Sequence, residues 1–139
     1  MSAVALTDNG VMHGAIAFYM AAKAAGLTPI IGCELAFTDR IDQKVRARDR
    51  LIVLAMSNRG YQQLVQLVSA ANIEGFYYTP RIDWGLLEQF NEDLIVITHG
   101  YQGPVANCIK QHQDAAAHAL ATRLKALMGD RLYLGIQRL

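Results

Sequence analysis

The sequence predicts an α/β fold built on a parallel sheet, of which this chain supplies a partial sector. Apolar runs of strand length recur along it, at Ala3–Leu6, Thr28–Phe37, Leu51–Met56, Leu94–Thr98 and Leu132–Ile136. Unbroken apolar runs of this kind fill strands covered on both faces. Segments of helical period alternate with them, the pattern that makes right-handed βαβ units. Five such strands are too few to close an eight-stranded barrel, and the chain starts and stops in strands. The expectation is therefore a slice of a larger barrel.

Each element has its own signals. Ala3–Leu6 runs into Thr7-Asp8-Asn9-Gly10, a polar turn at the carboxyl end of a strand. That is where α/β folds place ligands and chemistry. From Val11 to Ala25, Met12, Ala15, Ile16, Tyr19, Met20 and Ala22 follow helical spacing, with Gly26 as the stop. Thr28–Phe37 is the second strand, with Pro29 near its start. Thr38–Arg50 is crowded with charges of both signs and reads as a solvated loop in preference to a phosphate-binding patch. After the third strand, Asn58–Ala71 is helical, capped by Ser57 or Asn58, with Tyr61, Leu64, Val65, Leu67 and Val68 on its apolar side. Glu74–Trp84 is an aromatic loop, and Asp83 caps a short helix through Phe90. The fourth strand ends in Thr98-His99-Gly100; Pro104 suits a first helical position, and Gln113–Met128 is a helix ended by Gly129 before the fifth strand.

Composition limits the function. Hydrophobic residues make up 53% and charged residues 18% of the chain, as in a globular protein with much to bury. No apolar run approaches the roughly 20 residues that span a bilayer, and no secretory signal opens the chain. A cytoplasmic location without membrane contact is the expectation. Cys33 and Cys108 suggest neither a disulfide scaffold nor a zinc site. The net charge of +1 gives no support to nucleic-acid binding over the whole surface.

On a parallel barrel three polar sets converge at one rim: Asp8 with Asn9, Glu34, and Thr98 with His99. Carboxylates beside an imidazole are what a hydrolytic metal site needs. The same residues also serve as a turn, an ion-pair partner and a satisfied imidazole. His13, His112 and His118 carry no site signal. Trp84 and Phe76-Tyr77-Tyr78 have the faces to stack nucleobases, but aromatics that bracket a loop are expected to pin it to the core.

The stretches TDNGVMHGAIAFYMAAKAAGLTPIIGCEL, LIVLAMSNRGYQQLVQLVSAANIEGFYYTPRID, LIVITHG and DRLYLGIQ resemble, in order, the PHP (polymerase and histidinol phosphatase) domain at the amino end of bacterial replicative DNA polymerase III alpha subunits. EGFYYTPRID is the most specific part, and Thr38–Arg50 matches least. The resemblance implies a distorted seven-stranded (β/α) barrel, with residues 1–139 a fragment lacking the first strand–helix unit and the C-terminal part. Active members hold three divalent metal ions at the carboxyl-end rim and hydrolyse phosphoesters.

Carried over residue by residue, Glu34 matches a glutamate ligand and Asp8 is kept beside an altered position. Asn9, Arg50 and Gly100 fall where the family has histidine, histidine, and cysteine or histidine, while His99 lies one place from the last. The resemblance thus implies a non-catalytic scaffold, with no cofactor and no catalytic residue of its own and only the vestigial pair Glu34 and Asp8. The implied partners are the rest of a polymerase chain, whose separate domain holds magnesium, and a proofreading exonuclease subunit; DNA is reached only through the parent. The competing reading is an active metal-dependent phosphoesterase or 3′-5′ exonuclease using Asp8, Glu34 and His99. A small metabolite-binding domain is a third, disfavoured by the unclosed sheet. The isolated chain is expected to be unstable, with a strand edge and apolar surface uncovered.

Overall fold

The computed structural model describes residues 1–138. Six strands and five helices follow in the order β1 (Ala3–Asn9), α1 (Ala15–Ala24), β2 (Thr28–Phe37), β3 (Asp49–Ala55), α2 (Asn58–Ile73), β4 (Arg81–Ile82), α3 (Trp84–Gln89), β5 (Leu94–Thr98), α4 (Pro104–Lys110), α5 (Asp114–Met128) and β6 (Leu132–Leu134). The sheet runs β1-β2-β3-β5-β6 and stays open, with β4 pairing the last residues of β2. β1 and β2 are parallel, as are β2 and β4 and β5 and β6. The architecture is a mixed α/β sheet consistent with part of a barrel.

One strand departs from the all-parallel expectation. β3 is antiparallel to both β2 and β5. Its reversal has a simple cause. A parallel return needs a crossover long enough to carry the chain back along the sheet. Residues 38–48 contain no helix and lead directly from the end of β2 into β3 on the neighbouring edge. The amino end of β3 therefore reaches the rim where β1, β2 and β5 present their carboxyl ends.

Local signals account for most boundaries. Ser57 Oγ accepts from the Gly60 amide at the start of α2, and Asp83 Oδ1 accepts from the Leu86 amide at the start of α3. Pro104 opens α4. Gly26 and Gly129 leave α1 and α5 at φ 75° and 60°, where a side chain would be strained. Leu35, Leu51 and Val53 on the central strands meet Leu64 and Leu67 of α2, Leu87 of α3, Leu94 and Val96 of β5 and Leu124 of α5 in one buried core. Phe37 and Trp84 pack edge to face there, with ring centroids 5.1 Å apart.

α1 is less covered than its apolar sequence suggests. Ile16, Tyr19 and Met20 are exposed, and Tyr61 and Val65 of α2, expected on the buried side, are more than a third exposed. A groove of about 540 Å³ lies between the two helices, floored by Pro29, Ile31 and Ala55. The β2–β3 connection supplies no helix to fill it.

The aromatic loop also corrects an expectation. Trp84 is buried, but Phe76 and Tyr78 are 60% and 62% exposed and do not pin their loop. Arg81 does that work. It is 2% exposed, and its guanidinium donates to four carbonyls: Gly75, Ile41, Gln43 and Val45. Asp83 adds a second grip, its Oδ2 accepting from the Ile41 amide at 3.0 Å. The Arg-Ile-Asp of the most specific motif is a clamp on the charged connector, so residues 38–48 are a held loop.

At the start of β3, Asp49 accepts from the Asn107 amide nitrogen at 2.7 Å. Burial pushes its carboxyl above the ordinary range, against the opposing pulls of Asn107 and Lys110. A carboxyl raised by folding binds more protons folded than unfolded. Its stabilising contribution is present at low pH and is lost as pH rises through the raised value. Asp49→Asn keeps an oxygen for Asn107 and is expected to flatten that part of the pH–stability curve and raise stability at neutral pH. Urea titrations below the carboxylate range and at neutrality measure it; a loss of stability at neutral pH would contradict the assignment.

A candidate metal-site rim closed by arginine

The strand ends gather four of the sequence-predicted residues. Asn9 closes β1 and sits in register with Glu34 of β2. Arg50 is the second residue of β3, and His99 follows β5. The reversal of β3 brings Arg50 to this rim. Its guanidinium spans the other two strands: Nη1 donates to Asn9 Oδ1 at 2.8 Å, and Nε lies 3.8 Å from Glu34 Oε1. His99 approaches the same carboxylate oxygen, with Nε2 at 3.4 Å, an ion pair only when the imidazole is protonated. The His99 amide donates to the Arg50 carbonyl, and the Arg50 amide to the Gln102 carbonyl, so backbone bonds tie β3 to the turn after β5. Side-chain exposure of Arg50, Glu34 and His99 is 24%, 21% and 21%, which makes the rim a shallow cradle, partly screened by water.

His99 Nδ1 is buried and has no hydrogen-bond partner among the described residues. Asp8 stands apart. Successive strand residues face opposite sides, and its Oδ2 lies against Gly14, 3.3 Å from where a Cβ there would be. It makes no side-chain hydrogen bond or ion pair to the rim among the described residues. Its neighbour across the ladder, Cys33, donates from Sγ to the Asp8 carbonyl at 3.2 Å, and burial raises that thiol to about 11, which keeps it protonated at neutral pH.

Gly100 brings no side chain. A Cβ at that position would come within 2.6 Å of the Gln137 Cβ, so the segment after β6 already fills the space. Among the described residues no group of three or more His, Cys, Asp or Glu side chains could hold a metal ion. No helix is long and apolar enough to cross a membrane among them. Sequence reasoning missed Arg81, which holds the connector, and Asn107, whose side chain donates to Asp49 and to the Arg48 carbonyl just before Arg50. Neither residue carries a local signal, because the acceptors that the fold brings to them lie mostly 36 to 59 positions away.

Comparison with known proteins places the chain in a family. The PHP domain model matches residues 1–139. The DNA polymerase III subunit alpha of Aquifex aeolicus is 36% identical over 146 residues, covering 97% of this chain and 13% of that protein. The subunit of Borreliella burgdorferi is 38% identical over 99% of the chain and 13% of its own length, and that of Campylobacter jejuni 47% identical over 99% and 12%. The chain thus spans about an eighth of the length of the curated relatives it matches. With a match from first residue to last, and an open α/β sheet whose strand ends meet at one polar rim, the chain belongs to the PHP domain family.

Proposed function

We propose that the chain is the PHP-domain portion of a bacterial replicative DNA polymerase III alpha subunit and serves DNA replication as a non-catalytic scaffold whose metal cradle has been dismantled. The observation that carries the reading is the Arg50 guanidinium lying across Asn9 and Glu34. A three-ion cluster does not fit these residues. Glu34 already faces a fixed cation, the Asn9 amide is a weak substitute for imidazole, and a ligand at position 100 would collide with Gln137. The work left to the domain is mechanical: it supports the polymerase chain and offers a surface to a proofreading exonuclease subunit. Nucleotide addition, with its magnesium, belongs to another domain of the proposed parent.

The alternative, an active phosphoesterase or 3′-5′ exonuclease, has one observation on its side. His99 and Glu34 stand together, and His99 Nδ1 has no partner among the described residues. Metal analysis of the full-length protein decides between them. The expected result is less than one tightly bound zinc, manganese or iron ion per chain, with no 3′-end hydrolysis that Glu34→Gln removes. A stoichiometric ion lost in Glu34→Gln would overturn the scaffold reading.

A further inference from the structure

From the exposed aromatic loop and the cationic half of the connector, we infer a second interaction surface, one that takes single-stranded nucleic acid. It goes beyond the scaffold reading and does not depend on the state of the Glu34 rim. Arg81, held by four carbonyls, lies 5.4 Å from the Tyr77 ring centroid. Tyr77 packs edge to face on Tyr78 with centroids 4.8 Å apart. The Arg46 guanidinium carbon then sits 4.3 Å from the Tyr78 centroid. These residues form a short column, Arg81–Tyr77–Tyr78–Arg46, buried at one end and open at the other. Tyr78 occupies the left-handed region at φ 63°, unusual for a large side chain and a mark of functional sites. Phe76 is exposed beside it.

The charges fit the same partner. Arg40 is paired with Asp42, and Asp49 is engaged by Asn107. Lys44, Arg46 and Arg48 are exposed and make no ion pair among the described residues. Glu74 is the acidic residue of the facing segment. A guanidinium stacked on a ring keeps its N–H edge free and pre-oriented for a phosphate. Exposed rings among cations are how proteins hold unpaired bases, since every base has a face to stack. A duplex keeps its bases stacked on one another, and an acidic peptide would satisfy the cations while leaving the exposed surface of Phe76 and Tyr78 unused. The combination selects a single strand.

The test uses the full-length protein and an oligothymidylate carrying 5-iododeoxyuridine, cross-linked by light and mapped by mass spectrometry. The expected result is a cross-link on the peptide containing Phe76 and Tyr78, competed by unlabelled single strand and poorly by duplex. Tyr78→Leu and Arg46→Gln, both at exposed positions, should lower its yield about tenfold. Arg46→Gln should also reduce the salt slope of that cross-link by about 0.7, the share of one phosphate contact. Cross-links confined to other parts of the chain would overturn the inference, as would equal competition by duplex. Capture of a polypeptide and no DNA by a photoreactive phenylalanine at position 76, in the assembled complex, would make the surface a protein interface instead.

Discussion

Replacing Arg81 with methionine is expected to destabilise the protein by roughly 3–5 kcal/mol, because four carbonyls lose a charged donor and each acceptor left unpaired in the interior costs about 1–3 kcal/mol. Arg81 is 2% exposed and lies among carbonyls. Its donors satisfy Gly75 on one side and Ile41, Gln43 and Val45 on the other. Hydrogen bonds from a charged donor are worth about 1.5–3 kcal/mol each, and they do not add because the freed connector can turn its carbonyls to water. Methionine keeps most of the volume and none of the donors. Lysine should fail nearly as badly, since an ammonium is a point charge and cannot reach in the directions a planar fork covers. Hydrogen exchange of the full-length protein reads the effect locally: amides of residues 38–48, including the Ile41 N–H held by Asp83, should lose protection before the core strands do. Unchanged protection in Arg81→Lys would sink the clamp.

The second large effect is electrostatic. Arg50→Ala should raise the affinity of the rim for a divalent cation by about two orders of magnitude, and Arg50→His by more, because it adds an imidazole. Two unit charges about 4 Å apart repel by roughly 4 kcal/mol at an effective dielectric near 20. Arg50 and Glu34 are about a quarter exposed, so water screens part of that, leaving on the order of 2–3 kcal/mol. At about 1.4 kcal/mol per decade this gives the stated factor. Manganese titration of the full-length protein, followed by electron paramagnetic resonance, measures it. The gain must vanish when Glu34→Gln is added. Equal affinities for the Arg50 variants and the unaltered protein would show that the guanidinium does not guard the rim.

What the sequence made legible was local. The strand–turn–helix units, the caps at Ser57 and Asp83, and the stops at Gly26 and Gly129 rest on side chains acting within a few residues of themselves. The gathering of Asn9, Glu34, Arg50 and His99 also followed from strand ends and motif matching. The direction of β3 did not, although its cause was visible: no helical period lies between Phe37 and Asp49. Asp8 could have been separated from Asn9 by strand alternation alone. The tyrosine loop misled because aromatic content was read as burial, whereas the anchoring came from Arg81, whose carbonyl partners lie 36 to 40 positions away in three of four cases. Charge in a sequence looks solvated until the fold supplies a cage of acceptors.

The antiparallel pairing of β3 has a consequence for how this rim tolerates change. In a ladder, parity decides which side chain faces which way, so a one-residue slip exchanges the two faces. Ala36 pairs with Arg50 and Leu35 with Leu51. A deletion within β3 would swing a leucine into the polar rim and drive arginine toward the hydrophobic interior. An insertion in the connector ahead of Ile41, before the stretch held by Arg81, leaves that parity unchanged. Length variants should therefore accumulate between Thr38 and Ile41, ahead of the residues held by Arg81 and Asn107, and be purged within β3.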